Sequence, residues 1–420
     1  MILSRELLFL VLFGLSVQLL SAQETDPPGQ CGTVAYNQWL EKQDPGYASS
    51  RKSVQEKIRD YLRRMNVQKE DSNQVIQIPV IVHILWNTAE QNIPDEQVWS
   101  QIFALNEDFR RLNADTVNTP VMFKPVAADS RIEFCLARRL PDNSGPSNGI
   151  LRIWTDKAEF GLDNKVKSAY HGGSAAWDRD RYLNIWVCKL TANYLGYSQY
   201  PGGPDSTDGV VIDYRCFGRV GTLNPHYNKG RTATHEIGHW LDLYHIWGDD
   251  FGSCDGSDYV DDTPNAADAN YYCPTHPRIT NCNATGEMFM NYMDYCDDHC
   301  FNIYTAGQAQ RMRAAIFTVR TSLLSSDGCD DYIGMQELEK DNHVTLYPNP
   351  ASDYIHLTFS KPLNKAVFIV SDMTGRTCLL GQATNVTHQA LDVSHLNDGL
   401  YFLSVRSGSS SVTLKLLLQR

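Results

Sequence analysis

Residues 231–245 read RTATHEIGHWLDLYH. On a helix, positions four apart share a face, so His235 and His239 present two imidazoles to one side and can grip a single ion. Glu236, beside them, is placed to take a proton from water rather than to ligate. Six residues past His239 stands His245, reachable as a third ligand if the helix stops and the chain turns at about Asp242. Three protein ligands leave a tetrahedral zinc one position for water, which distinguishes a catalytic site from a closed structural one. Zinc acidifies that water toward hydroxide near neutral pH, so the stretch predicts metal-assisted hydrolysis.

Outward from this helix the pattern supplies a sheet and further helices. Lys52 to Met65 has helical character, with Val54, Ile58, Tyr61 and Leu62 on one side. The run from Val75 to Leu85, rich in Ile and Val, is the first strong strand. Pro94 opens a helix whose Val98, Ile102, Leu105, Phe109 and Leu112 fall at the spacing of one buried face. Strands are expected at Ile132 to Ala137, Leu183 to Leu190 and Gly209 to Tyr214. Irregular, cysteine-rich chain from Gly252 to Cys300 is too long for a passive connector and needs disulfides or ions to hold it. Thr305 can cap a last helix, with Ala309, Met312, Ile316 and Val319 on its apolar side, closing the domain near Ser325.

The 420-residue length and 42% hydrophobic, 20% charged composition are those of two or three ordinary globular units. A net charge of -12 argues against nucleic acid or an anionic membrane surface as partner. Arg5, the apolar stretch Leu7 to Leu20 and the small residues Ser21-Ala22 read as a signal peptide over 1–22, and no later segment has the length and apolarity to span a bilayer. Eleven cysteines in an exported chain point to an oxidising destination. Residues 23–50 are polar and rich in Pro and Gly, like a pro-segment. After a polar linker at 326–343, helical periodicity disappears, and six short strand-like runs (Val344 to Tyr347, Tyr354 to Phe359, Lys365 to Val370, Leu391 to Val393, Leu400 to Val405 and Val412 to Leu418) suggest a small antiparallel β-sandwich over 344–420.

The string from His235 to His245 resembles the extended zinc motif of the metzincins, and Asn291-Tyr292-Met293-Asp294-Tyr295 looks like their Met-turn. With Gly238, Trp240 and the Leu243-Tyr244-His245 ending, these features are most similar to the pappalysin family, and the resemblance runs from near Arg51 to Ser325. It implies an α+β metzincin-like catalytic domain over 51–325: a twisted sheet, zinc-site and backing helices, and an irregular disulfide-braced lower subdomain. One position departs from the family pattern, since Asp242 stands where Gly is usual. Asp tolerates a left-handed turn better than most residues, so the turn is expected to survive.

By the same resemblance Met293 cushions the metal from below and Tyr295 lies near it. Bridges Cys254 to Cys282 and Cys273 to Cys300 are implied, although sequence alone allows three pairings of these four. A family calcium site maps onto Asp258, Val260 and Thr263, partly through carbonyls, which suits a hard cation. The substrate is implied to lie along an edge strand, with Leu195 to Tyr200 the candidate. Where arginine-directed members carry an acidic residue before the last loop cysteine this chain has His299, so His299 is the candidate pocket residue for a preference for Arg or Lys after the cut. Cys31, in Gly29-Gln30-Cys31-Gly32-Thr33, can occupy the zinc's fourth position as the cysteine switch of related latent enzymes does, and Ser50-Arg51 is the expected self-activation point.

Tyr347-Pro348-Asn349-Pro350, Gly399-Leu400-Tyr401 and the terminal Lys415 with its leucines resemble the sorting domain of type IX secretion cargo. Outer-membrane secretion machinery is then a partner, beside protein or peptide substrates. The expected protein is a secreted or surface-attached zinc endopeptidase made as a latent zymogen. A non-catalytic surface adhesin on a zinc-binding fold is the alternative.

Overall fold

A computed structural model describes residues 29–68, 74–250, 252–330, 344–373, 375–408 and 410–420. The expected signal peptide, and 331–343 of the expected linker, lie outside the described residues.

Chain order begins with β1 (Gln30–Cys31), α1 (Thr33–Gln43), α2 (Tyr47–Gln68), β2 (Ile76–Trp86) and α3 (Asp95–Phe109). It continues through β3 (Ile132–Leu136), β4 (Ile150–Trp154), β5 (Leu183–Cys188), β6 (Tyr194–Ser198), β7 (Val210–Asp213) and α4 (Arg231–Trp240). The first unit ends with β8 (Tyr271–Tyr272), β9 (Tyr295–Cys296) and α5 (Ala306–Val319).

One seven-stranded sheet runs β1-β6-β7-β5-β2-β3, with β4 beside the second half of β2. Every pairing in it is parallel except β6 against β7. A central strand of such a sheet is covered on both faces, which is why β2 reads IQIPVIVHILW with almost no polar interruption. Leu183, Ile185 and Val187 of β5 enter the core shared with α3 and α4, while Trp186 and Cys188, on its other face, pack with Tyr36 and Leu40 of α1. Val54 and Ile58 of α2 meet Ala314 and Ala315 of α5, the helix whose N-terminus is closed by the reciprocal Thr305 and Gln308 bonds.

Several boundaries differ from expectation. The helix from Pro94 stops at Phe109, and Leu112, expected on its buried face, is 57% exposed. The division between 50 and 51 falls inside α2, where Ser50 N–H donates to Gly46 O, so Ser50 and Arg51 are helical rather than extended. The first unit also passes Ser325: Cys329 is disulfide-bonded to Cys135 of β3, and Asp327 pairs with Arg139 and Arg181.

The C-terminal unit comprises β10 (Val344–Tyr347), β11 (Tyr354–Asp372), β12 (Thr377–Asp392), β13 (Gly399–Ser407) and β14 (Ser410–Leu418), all antiparallel in one five-stranded sheet. Tyr354 to Phe359 and Lys365 to Val370, expected as two strands, are halves of β11 separated by a shift in register between Thr358 and Leu363. β12 escaped the sequence reading except at Leu391, because most of its residues face solvent and it lacks a regular apolar alternation. Among the described residues no helix is long and apolar enough to cross a membrane.

Candidate active site

All ten residues of α4 are buried, and its last turn opens where Asp242 adopts φ 74°, the left-handed region. That turn brings His245 back toward the helix. His239 Nε2 lies 3.0 Å from His235 Nε2 and 3.1 Å from His245 Nε2. Each ring turns its other nitrogen to an acceptor: His235 Nδ1 to Tyr292 O at 2.7 Å, His239 Nδ1 to Leu243 O at 2.8 Å, His245 Nδ1 to Asp249 Oδ1 at 2.7 Å. The tautomer that fits carries its proton on Nδ1, which leaves three Nε2 lone pairs converging on one point. Burial, and then the neighbouring His245, holds the His235 imidazole down to about 3, so the ring is neutral and able to ligate.

Met293 packs against α4 at Gly238. Gly238 is required there, since a Cβ at that position would sit 2.5 Å from Met293 Sδ. Tyr295 stands with its ring centroid 4.9 Å from that of His245, and its hydroxyl donates to Cys31 O at 3.5 Å.

Glu236 is 1% exposed, and burial pushes its carboxyl up to about 7 against the lowering effect of its hydrogen bonds. Above it passes β6, where Gly196 leaves room: a Cβ there would be 2.9 Å from Glu236 Cγ. β1 adds to β6 as a parallel strand, pairing Gln30 with Tyr194 and Cys31 with Gly196. Cys31 Sγ thereby comes 3.6 Å from His239 Nε2 and joins the three histidines as a fourth potential donor within 4.8 Å. Thr33, given no role in the sequence reading, donates its hydroxyl to Glu236 Oε2 at 2.7 Å and accepts from Ser198 N.

A pocket beside His235 and Glu236 is lined by Leu195, Tyr227, Thr232, Asp298 and Phe301, with Gly29 and Cys31 across it. The expected pocket residue, His299, is not part of this wall; it is exposed and lies next to Cys273 and Cys300. Its neighbour Asp298, in the turn that follows β9, lines the pocket instead. Asp298 is 1% exposed; its Oδ2 accepts from Lys229 N at 2.7 Å and Arg231 N at 3.2 Å, while Oδ1 is buried without a partner. Burial raises its carboxyl to about 6.

In the lower loop Cys254 pairs with Cys282 and Cys273 with Cys300. Asp258, Val260 and Thr263 converge: Thr263 Oγ1 donates to Asp258 Oδ2 at 2.7 Å and to Val260 O at 2.8 Å. Burial lifts the Asp258 carboxyl to about 7, and Asp262 Oδ1 nearby is buried without a partner. Asp258, Val260 and Thr263 satisfy one another, and only Asp262 Oδ1 is left unpartnered beside them; the donor set is of the hard oxygen type that suits calcium.

Residues 170–317 match the family described as pregnancy-associated plasma protein-A, and residues 345–419 match the secretion system C-terminal sorting domain. An extracellular metalloprotease of Arthroderma benhamiae is 32% identical over 243 residues, covering 56% of this chain and 76% of the relative. One from Verticillium alfalfae is 39% identical over 263 residues, covering 56% and 91%. Among solved structures, mature mirolysin of Tannerella forsythia in complex with a cleaved peptide is 49% identical, covering 60% of this chain and 97% of that one, with a TM-score of 0.59. A promirolysin mutant from the same organism is 44% identical, covering 70% and 97%, with a TM-score of 0.65.

Proposed function

Because the chain belongs to the pappalysin family of metallopeptidases, and is a secreted or cell-surface metalloendopeptidase with a type IX sorting domain, we propose that it is a metzincin-type zinc enzyme that cuts peptides before Arg or Lys. Its fold is that of a mirolysin-like metalloprotease. The observation that carries the reading is the convergence of three Nε2 atoms about one point with each Nδ1 pinned outward, beside a carboxylate that ligates nothing. Neutral imidazoles so oriented are zinc donors, and His235, His239 and His245 would hold the ion. When bound, zinc supplies a Lewis acid that polarises a carbonyl and acidifies water.

The chain's own groups do the rest. Glu236 accepts a proton from the attacking water and passes it to the leaving amine nitrogen. Its dry surroundings favour a carboxyl that can both take and return a proton near neutrality. Tyr295, whose ring lies over the His235 and His245 pair, is positioned to donate its hydroxyl to the reacting carbonyl, and Met293 packs beneath the histidines. Substrate lies along β6 once β1 has left it. Asp298, not His299, receives the cationic side chain after the cut. The alternative of a non-catalytic adhesin leaves Glu236, a buried carboxylate that a structural zinc does not need, without a purpose.

In the same reading residues 1–22 are a signal peptide and 23–50 a pro-segment; the catalytic domain runs from 51 to about 330, with the sorting domain over 344–420. Latency has two contacts: Cys31 at the metal's fourth position and Thr33 on the base. In unprocessed protein, Cys31→Ala with Thr33→Val raises the initial rate on a fluorogenic peptide at least about tenfold, since a hydrogen bond to a charged group contributes roughly 1.5–3 kcal/mol. An unchanged rate, with processing excluded on a gel, sinks the latency assignment.

Calcium at Asp258, Val260 and Thr263 braces the lower loop. Removing it with a calcium-selective chelator lowers the melting temperature by roughly 5–10 °C while zinc content stays constant. The function itself is tested by digesting a peptide library with zinc-loaded, pro-segment-free enzyme. Cuts clustered before Arg and Lys are expected, and an undigested library refutes the proposal.

A further inference from the structure

Asp242 supplies the left-handed turn between the second and third histidines, as a glycine would, yet it does more than stand in for one. The residue is fully buried, and every acceptor on it is taken. Oδ1 accepts from Arg51 Nη2 at 2.8 Å and Gln55 Nε2 at 2.9 Å. Oδ2 accepts from Arg311 Nη2 at 2.7 Å and Gln55 Nε2 at 2.8 Å. Its main-chain oxygen accepts from Arg311 Nε at 2.8 Å. The turn is thus gripped by α2 on one side and α5 on the other.

Arg51 extends the grip to the histidines' neighbours. It donates to Tyr244 OH and Pro201 O, each at 2.7 Å, and its guanidinium lies over the Tyr200 ring at 4.7 Å. Tyr244 immediately precedes His245, and Tyr200 meets the His239 ring edge-on, with 5.5 Å between centroids. We propose that Asp242, held by Arg51 and Arg311, is a positioning residue that fixes the turn between His239 and His245, so that the site's hold on its metal depends on α2. The inference rests on the reading of those histidines as zinc ligands. If processing occurs between 50 and 51, the first residue of the catalytic chain has a part in the metal site. A buried carboxylate shared by two guanidiniums resists displacement, since moving it strands charges in a dry place.

Asp242→Gly separates this role from simple turn chemistry. Glycine adopts the left-handed conformation more easily, so a residue needed only for the turn is replaced at no loss. The expected result for the full-length chain is instead a zinc affinity at least tenfold lower, read by competition with a chelating dye of known affinity. After processing, kcat falls while the KM for peptide is unchanged. Asp242→Asn, which keeps the acceptor without the charge, recovers part of both. Zinc held by Asp242→Gly as tightly as by wild type overturns the proposal. Should that variant not fold, Arg51→Met decides: Arg311 and Gln55 still hold Asp242, so a loss of two- to fivefold is expected, and an unaltered affinity overturns the proposal. Wild-type chain that fails to take up one zinc contradicts the ligand reading instead.

Discussion

Replacing Glu236 with alanine leaves zinc content and folding intact and lowers kcat by roughly two to four orders of magnitude, the range over which a positioned general base acts. The separation of the two readouts follows from geometry. The Glu236 carboxylate is hydrogen-bonded by Thr33, and the bonds that orient the histidines run to Tyr292 O, Leu243 O and Asp249. None of the latter bonds involves the lost carboxylate. Kinetics of processed enzyme and metal analysis of the same sample measure the two effects side by side. A variant that turns over at near wild-type rate removes Glu236 from the chemistry, and one that loses its zinc makes the residue structural. If the chain processes itself, the unprocessed form also accumulates in this variant.

The second large effect belongs to Asp298. Asp298→Asn lowers kcat/KM for a peptide with Arg after the cut by roughly 100- to 1000-fold, the scale on which losing one partner of a buried charge pair is felt. A peptide with Leu there changes little. Asparagine is the informative choice, because Oδ2 also accepts from Lys229 N and Arg231 N at the start of α4, and the amide oxygen preserves that support. His299→Ala, next in sequence, leaves the preference unchanged because its side chain lies outside the pocket wall. Arginine preference surviving in Asp298→Asn and lost in His299→Ala reverses the assignment.

That pair of neighbours marks where the sequence stops being legible. His235, Glu236 and His239 are read from helical period alone, and His245 from the length of a turn, because all four sit within a few residues of one helix. Deciding whether Asp298 or His299 faces the cleft needs the path of an irregular loop, which no period encodes. Thr33 is harder still: its partner is Glu236, 203 residues away, and a lone threonine carries no signal. Asp242 was visible as a departure from the family glycine, and its left-handed turn follows from local chemistry. Its partners Arg51 and Arg311 come from two distant helices. The paired cysteines of the loop were implied by resemblance, whereas Cys135 with Cys329 joins residues 194 apart and had no such guide. In the sheet, buried strands announce themselves by unbroken apolar runs, while β12 does not, since one half-exposed strand resembles a polar loop.

The bridge from Cys135 to Cys329 bears on how this enzyme would behave while tethered by its tail. Tension arriving from the C-terminal side meets a covalent stop at Cys329 and passes into β3 at Cys135, at the sheet margin away from β6. Helix α5 and the chain around Arg311 lie upstream of that stop. A pull on the tail is therefore shared with β3 through the disulfide rather than carried wholly by the chain that leads back to α5.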